Sequence, residues 1–262
     1  MISSITVWIS FMIAGGNYNE TIGIIASIAA FFFAGFANTV NDIADIEIDK
    51  INRPSRPLPA EFLSRKQAVV EAIILCVIAL GFSLVLGTGT IIVALIALPG
   101  MVAYSLWLKR TVLFGNILVS FIAALAFIYG GAAFGKITPV VFPAVMAFLL
   151  HLAREIIKDI EDVRGDKKLG AQTLPIVKGE RISRLTAAAI LLVLVITTIL
   201  PLLSGFYRLA YFLLIIPVDL IVIAIIYELI FVKDINAGRL SLYLKIAMPL
   251  GINAVFFGAI GY

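Results

Sequence analysis

Long, uninterrupted apolar runs separated by short clusters of charge make up nearly the whole chain. A helix needs roughly 20 mostly apolar residues to cross a bilayer. On that measure the runs predict spans at 1–15, 21–45, 67–87, 90–108, 112–134, 138–160, 185–204, 208–232 and 242–261. The first is short for a crossing. Because the runs are continuous rather than alternating, membrane strands are not expected. The pattern predicts an all-α integral membrane protein with nine transmembrane helices, folded as a single domain over 1–262. Pro99, Pro143, Pro201, Pro217 and Pro249 are expected to kink or end helices.

Charge fixes an orientation. If the N-terminus is inside, the inner loops fall near 46–66, 109–111, 159–184 and 233–241. With the flanking helix ends, they collect every one of the 20 Lys and Arg residues except Lys136 and Arg208. Inner loops enriched in this way are the positive-inside pattern. A multi-pass protein of the cell membrane is therefore expected. Composition agrees: 62% of residues are hydrophobic, only 14% are charged, and mean hydropathy is +1.11. The net charge of +4 is accounted for by this topology and gives no reason to expect a nucleic-acid partner. Cys76 is the only cysteine, so a disulfide framework is excluded. No required protein partner is evident. The start, Met1-Ile-Ser-Ser-Ile-Thr-Val-Trp8, lacks the basic segment of a cleavable signal peptide.

Against this background two acidic motifs stand out. Asn41-Asp42-x-x-Asp45-x-x-x-Asp49 precedes Arg53-Pro-Ser-Arg-Pro-Leu-Pro59, and Asp159-x-x-Asp162-x-x-x-Asp166 precedes a stretch that also ends in Leu-Pro, at Pro175. At 100° per residue, Asn38, Asn41, Asp45 and Asp49 share an arc of about 80°, with Asp42 at its edge. Glu155, Asp159, Asp162 and Asp166 share about 60°. Both rows would lie at the cytoplasmic face, at the ends of the second and sixth spans. Carboxylates there are costly unless something positive binds them. Rows of hard oxygen ligands without His or Cys suit Mg²⁺, which takes a few carboxylates together with phosphate oxygens and water. A metal-bound diphosphate is the ligand that best uses them. Arg53, Arg56, Lys109, Arg110, Arg154, Lys158, Lys167 and Lys168 could clamp the remaining phosphate oxygens. Loss of diphosphate from an allylic carbon leaves a cation, for which Tyr104, Trp107, Phe114, Phe121, Phe127 and Tyr129 could supply π-faces.

Plainer readings compete. Acids and bases at inner helix ends often form mutual ion pairs, aromatic residues often face lipid, and Arg65 and Arg164 read as membrane anchors. His151 reads as a packed residue, and Asp219 and Glu228 could be paired structurally or contact substrate. A cation- or proton-coupled transporter is a further alternative, although its acids should lie near the bilayer midplane.

The chain resembles the UbiA superfamily of intramembrane prenyltransferases at Asn41–Asp49, Arg53–Pro59, Tyr104–Lys109 and Asp159–Pro175. The resemblance implies a ring of nine transmembrane helices around a central cavity, with loops near 46–66 and 159–184 capping the active site and a side opening that admits an isoprenoid tail. It further implies that Asn41, Asp45, Asp49, Asp162 and Asp166 bind Mg²⁺ and diphosphate, with Asp42 and Asp159 beside them as metal-site residues. Arg53, Lys109, Arg154 and Lys158 would hold the diphosphate, and Asp45, Asp162, Lys109 and Tyr104 would carry catalysis. Residues Arg154–Lys168 are similar to the archaeal branch that makes digeranylgeranylglyceryl phosphate. That branch joins an isoprenyl diphosphate to a lipid-like acceptor, the free hydroxyl of geranylgeranylglyceryl phosphate. Related patterns occur in prenyltransferases with quinone- or chlorophyll-type acceptors, so an aromatic acceptor remains the alternative. Members usually carry a basic, Arg-Pro-containing segment before the first span; its absence here leaves open one phosphate-binding residue and the length of the first helix.

Overall fold

The computed structural model describes residues 2–15, 20–168 and 170–259. Its elements are α1 (Ile2–Ile13), α2 (Glu20–Ala44), α3 (Ile46–Asn52), α4 (Arg65–Leu86), α5 (Thr88–Leu106), α6 (Phe114–Phe134), α7 (Val141–Lys168), α8 (Leu174–Lys178), α9 (Glu180–Leu203), α10 (Leu209–Phe231) and α11 (Ala237–Ala259). Among the described residues, eight helices are long and apolar enough to cross a membrane, and α1, at 12 residues, is shorter. In hydrocarbon every backbone polar group must be satisfied within the segment, which makes continuous helices the only open solution for these runs. Met1 of the first expected span, residues 260 and 261 of the last, and Leu169 in the third inner loop lie outside the described residues.

Two boundaries differ from the sequence reading in ways that bear on the site. The sixth span does not stop at 160: α7 runs on to Lys168, so the whole second acidic row lies on regular helix. The loop after the second span contains its own short helix, α3. Pro99, Pro201, Pro217 and Pro249 lie inside helices and do not end them.

Packing proceeds neighbour to neighbour from α1 through α2, α4, α5, α6, α7, α9, α10 and α11, and α11 returns to α1. This closes a ring with two apolar cores. One joins α2, α4 and α5 to α1 and α6; the other joins α7, α9, α10 and α11 to the same pair. Small side chains set the close approaches, as expected where lipid removes the hydrophobic drive between helices. Ala26, Ala29 and Ala30 of α2 lie in one core with Ala72 and Ala79 of α4. At Gly130 an added Cβ would run into the backbone of Val7, so α1 can lie against α6 only at a glycine. An apolar cleft runs between α1, α6, α7, α9, α10 and α11, with Phe127, Met146, Ala147, Leu150 and Met248 on its walls.

Candidate active site

The first row survives a break in its helix. Asp45 sits at the α2–α3 junction outside regular helix (φ −101°, ψ 5°), yet its amide still bonds the Asn41 carbonyl at 3.0 Å. The Asp49 amide in turn bonds the Asp45 carbonyl at 2.8 Å. The helical track is thereby carried across the junction, and Asn41 and Asp45 stay aligned: the Asn41 amide donates to the Asp45 carboxylate at 3.1 Å. Lys109 closes this pair. Its ammonium forms an ion pair with Asp45 and donates to the Asn41 oxygen at 3.3 Å.

The other two acids of the row turn elsewhere. Arg56 bridges Asp42, at 3.2 Å, and the buried Asp49, at 2.6 Å. The Arg53-Pro-Ser-Arg turn brings Arg56 back over the row, with the Arg56 amide bonded to the Arg53 carbonyl at 3.1 Å. Arg53, one of the residues expected to hold the diphosphate, is exposed, and among the described residues its side chain has no acidic partner.

On α7 the second row begins beside the cleft. His151 lines the cleft, and Glu155 follows one helical turn later, held by Arg154 at 2.9 Å and Lys158 at 3.5 Å. The Nε of Arg154 is buried without a partner. Asp159 accepts a 2.8 Å hydrogen bond from Asn116 of α6. Asp162 is exposed and acts electrostatically on Asp166, which also feels the charges of Arg110 and Lys158.

α2 and α7, which carry the two rows, share no extended packing interface. What brings the rows together is the α5–α6 connection. Lys109 from this segment reaches the first row, and Asn116, at its far end, reaches the second. The connection is sharply shaped. Leu113 adopts left-handed φ 60°, and a Cβ at Gly115 would collide with the Leu108 backbone. The chain following the second row is tied to the same turn, since the Gln172 amide bonds the Arg110 carbonyl at 2.8 Å. Tyr104, one helical turn before Leu108, feels the charges of Glu155, Asp159 and Asp45 together. Acids of both rows therefore lie around Tyr104 and Lys109.

Several sequence expectations need revision. Trp107 and Phe114 are two-thirds exposed, and Phe121 is exposed as well. Tyr129 is buried in the other core, hydrogen-bonded to Ser83 at 2.7 Å, and Phe127 lines the cleft. For Asp219 and Glu228, where pairing and substrate contact were both open, the structure shows pairing: Asp219 with Thr198, at 3.1 and 3.2 Å, and Glu228 with Arg239, at 2.6 Å. Asn116 is absent from the residues expected from the sequence, where its only signal is a lone amide at the start of an apolar span. Arg110 is expected there as a phosphate clamp, and the structure adds its influence on Asp166.

Among the described residues no group of three carboxylate, imidazole or thiol side chains stands ready to hold a metal ion alone. The donors present are carboxylate and amide oxygens, two of them already facing Lys109. That set fits a hard cation of the Mg²⁺ kind, which keeps water and completes its shell with phosphate oxygens. It does not fit a metal enclosed by protein atoms.

Known proteins of similar sequence and fold point to one family. The UbiA prenyltransferase family matches residues 3–248. The digeranylgeranylglyceryl phosphate synthase of Methanothermobacter thermautotrophicus is 37% identical, over 97% of this chain and 90% of that protein. The one from Haloquadratum walsbyi is 41% identical over 80% and 75%. A solved digeranylgeranylglyceryl phosphate synthase structure aligns with TM-score 0.89 and 31% identity, covering 100% of this chain and 94% of that one. A UbiA homologue from Archaeoglobus fulgidus, bound to GPP and Mg²⁺, has the same fold: TM-score 0.71 at 19% identity, over 99% and 97%. With two acidic rows gathered on one connection inside a closed ring of membrane helices, and with the family model spanning nearly its whole length, the chain belongs to the UbiA prenyltransferase family.

Proposed function

We propose that the protein transfers a geranylgeranyl group from geranylgeranyl diphosphate to the free hydroxyl of geranylgeranylglyceryl phosphate. The observation that carries this reading is the convergence of Asp45 and Asp159 on the two ends of the α5–α6 connection, through Lys109 and Asn116, with Tyr104 between them. The names of the relatives at 37% and 41% identity support the choice of acceptor. The diphosphate chamber of this reading is the space between the two rows, and the Lys and Arg distribution supports placing it at the cytoplasmic face.

The diphosphate would lie between the rows. Asn41, Asp45, Asp162 and Asp166 are the residues to hold Mg²⁺ there, with Asp49, Asp42 and Asp159 around them. The ion, when bound, would neutralise the diphosphate oxygens and favour their departure. Lys109 and Lys158 would contact phosphate oxygens directly, and Arg154 would steady Glu155 at the chamber's inner edge. Arg56 keeps Asp42 and Asp49 compensated and so holds α3 in place. The isoprenoid tail would enter the apolar cleft, which adjoins the second row at His151. As the bond from C1 to the diphosphate oxygen breaks, its electron pair leaves with the diphosphate. Tyr104 faces the developing positive charge. The acceptor hydroxyl oxygen then bonds C1, and its proton passes to a carboxylate of the rows or to the released diphosphate.

Detergent-purified protein given labelled geranylgeranyl diphosphate, geranylgeranylglyceryl phosphate and Mg²⁺ is expected to form the diether, with no product once chelator exceeds the metal. Product formed equally well in chelator defeats the metal assignment. Preferred transfer to an aromatic acceptor offered alongside replaces the lipid reading.

A further inference from the structure

Behind the first row lies a second concavity, a groove of about 740 Å³ that shares only Lys109 with the chemistry above. Glu47 and Lys50 lie on the face of α2–α3 turned away from Asn41, Asp45 and Asp49, and they form one side of it. Arg65, at the start of α4, lies across from them. The inner wall is Lys109 and Arg110. These two are also the groove's link to the chamber: Lys109 pairs with Asp45 of the first row, and the charge of Arg110 reaches Asp166 of the second. A ligand in the groove would thus be separated from the diphosphate by the 109–110 turn alone.

The lining is amphipathic. It holds four cations, Lys50, Arg65, Lys109 and Arg110, against two carboxylates, Glu47 and Glu61. Lys50 is already paired with Glu47 at 2.9 Å, whereas among the described residues Arg65 has no carboxylate partner. Leu106 and Trp107 line the same groove and are 48% and 66% exposed. They sit where the spanning helices end, the depth at which a Trp ring favours a membrane interface. Charge excess within and exposed apolar side chains at the rim match a lipid with an anionic headgroup. The proposed reaction needs two long chains, and the apolar cleft adjoins only the second row.

Building on the acceptor assignment above, we infer that this groove binds the phosphate of the lipid acceptor through Arg65 and the 109–110 turn, with the acceptor's hydrocarbon chain passing Leu106 and Trp107 into the bilayer.

Arg65 is exposed and lies outside the diphosphate machinery, so its replacement leaves the donor site intact. Steady-state kinetics of Arg65→Gln, alone and with Lys50→Gln, test the assignment. Loss of a charge-assisted phosphate contact is expected to raise KM for geranylgeranylglyceryl phosphate about tenfold, with kcat and KM for geranylgeranyl diphosphate within about twofold. Arg65→Lys should restore most of the loss. With geranylgeranylglycerol, which lacks the phosphate, variant and wild type should be alike. An unchanged acceptor KM overturns the inference, as does an equal rise for the phosphate-free acceptor. A defect that vanishes in vesicles of purely neutral lipid also overturns it, and identifies bulk anionic lipid as the occupant. Wild-type protein inert toward the phosphorylated acceptor would instead remove the proposed reaction, and the groove assignment with it.

Discussion

Lys109 and Asp45, far apart in sequence, meet in an ion pair that joins the α5–α6 connection to the end of α2. Both side chains are largely withdrawn from water, so each depends on the other for compensation. The same ammonium also holds Asn41 at 3.3 Å. Lys109 is therefore placed both to fix the first row and to meet an incoming phosphate.

Replacing it should be costly. Lys109→Met is expected to lower kcat/KM for geranylgeranyl diphosphate on the order of a hundredfold, since it removes charge stabilisation worth several kcal/mol at the departing group. Initial rates on detergent-purified variant check this, and a rate near wild type would remove Lys109 from the chemistry.

Asn116 gives a subtler outcome. Its amide orients Asp159 at 2.8 Å from outside the proposed metal shell, and such supporting contacts typically carry 10–100-fold in metal affinity or activity. Asn116→Ala should raise the Mg²⁺ concentration needed for half-maximal rate by about tenfold while leaving the fold intact. A Mg²⁺ titration reads it directly.

The two arginines after the first row should separate. Arg56→Gln breaks contacts with both Asp42 and Asp49, at 3.2 and 2.6 Å. Charged hydrogen bonds are worth about 1.5–3 kcal/mol each, so a loss of at least about tenfold in rate is expected, against at most about threefold for the exposed Arg53→Gln. Equal losses in parallel assays would restore Arg53 as the main diphosphate contact.

Cleft volume should set donor preference. Ala147 lines the cleft, and Ala147→Phe would fill space meant for an isoprenoid tail. Overpacking costs about 1–3 kcal/mol, so the preference for geranylgeranyl over geranyl diphosphate should fall by roughly tenfold or more. Competition between the two donors, read by mass of the product, settles it.

Arg184 tests stability apart from activity. It donates to the carbonyls of Leu229 at 2.8 Å, Lys233 at 3.0 Å, Glu228 at 3.2 Å and Val232, capping the C-terminal end of α10. Arg184→Met should lower Tm by about 2–8 °C, the shift expected for a loss of about 1–2 kcal/mol in a chain of this size. KM values should not move, because Arg184 touches neither acidic row.

Sequence alone determined the elements and one side of the site. Continuous apolar runs of bilayer length have no other way to satisfy their backbone than helices, and the spacing of Asp45 and Asp49, or of Asp159, Asp162 and Asp166, fixes which acids share a face, because both are local periodicities. Pairings across the ring were not local. Arg56 rather than Arg53 meets Asp42 and Asp49 because a turn reverses the chain; Asn116 meets Asp159 because Gly115 lets α6 start against Leu108. Such contacts join residues distant in the chain through side-chain volume and helix packing, which the order of residues constrains only once the whole ring has closed.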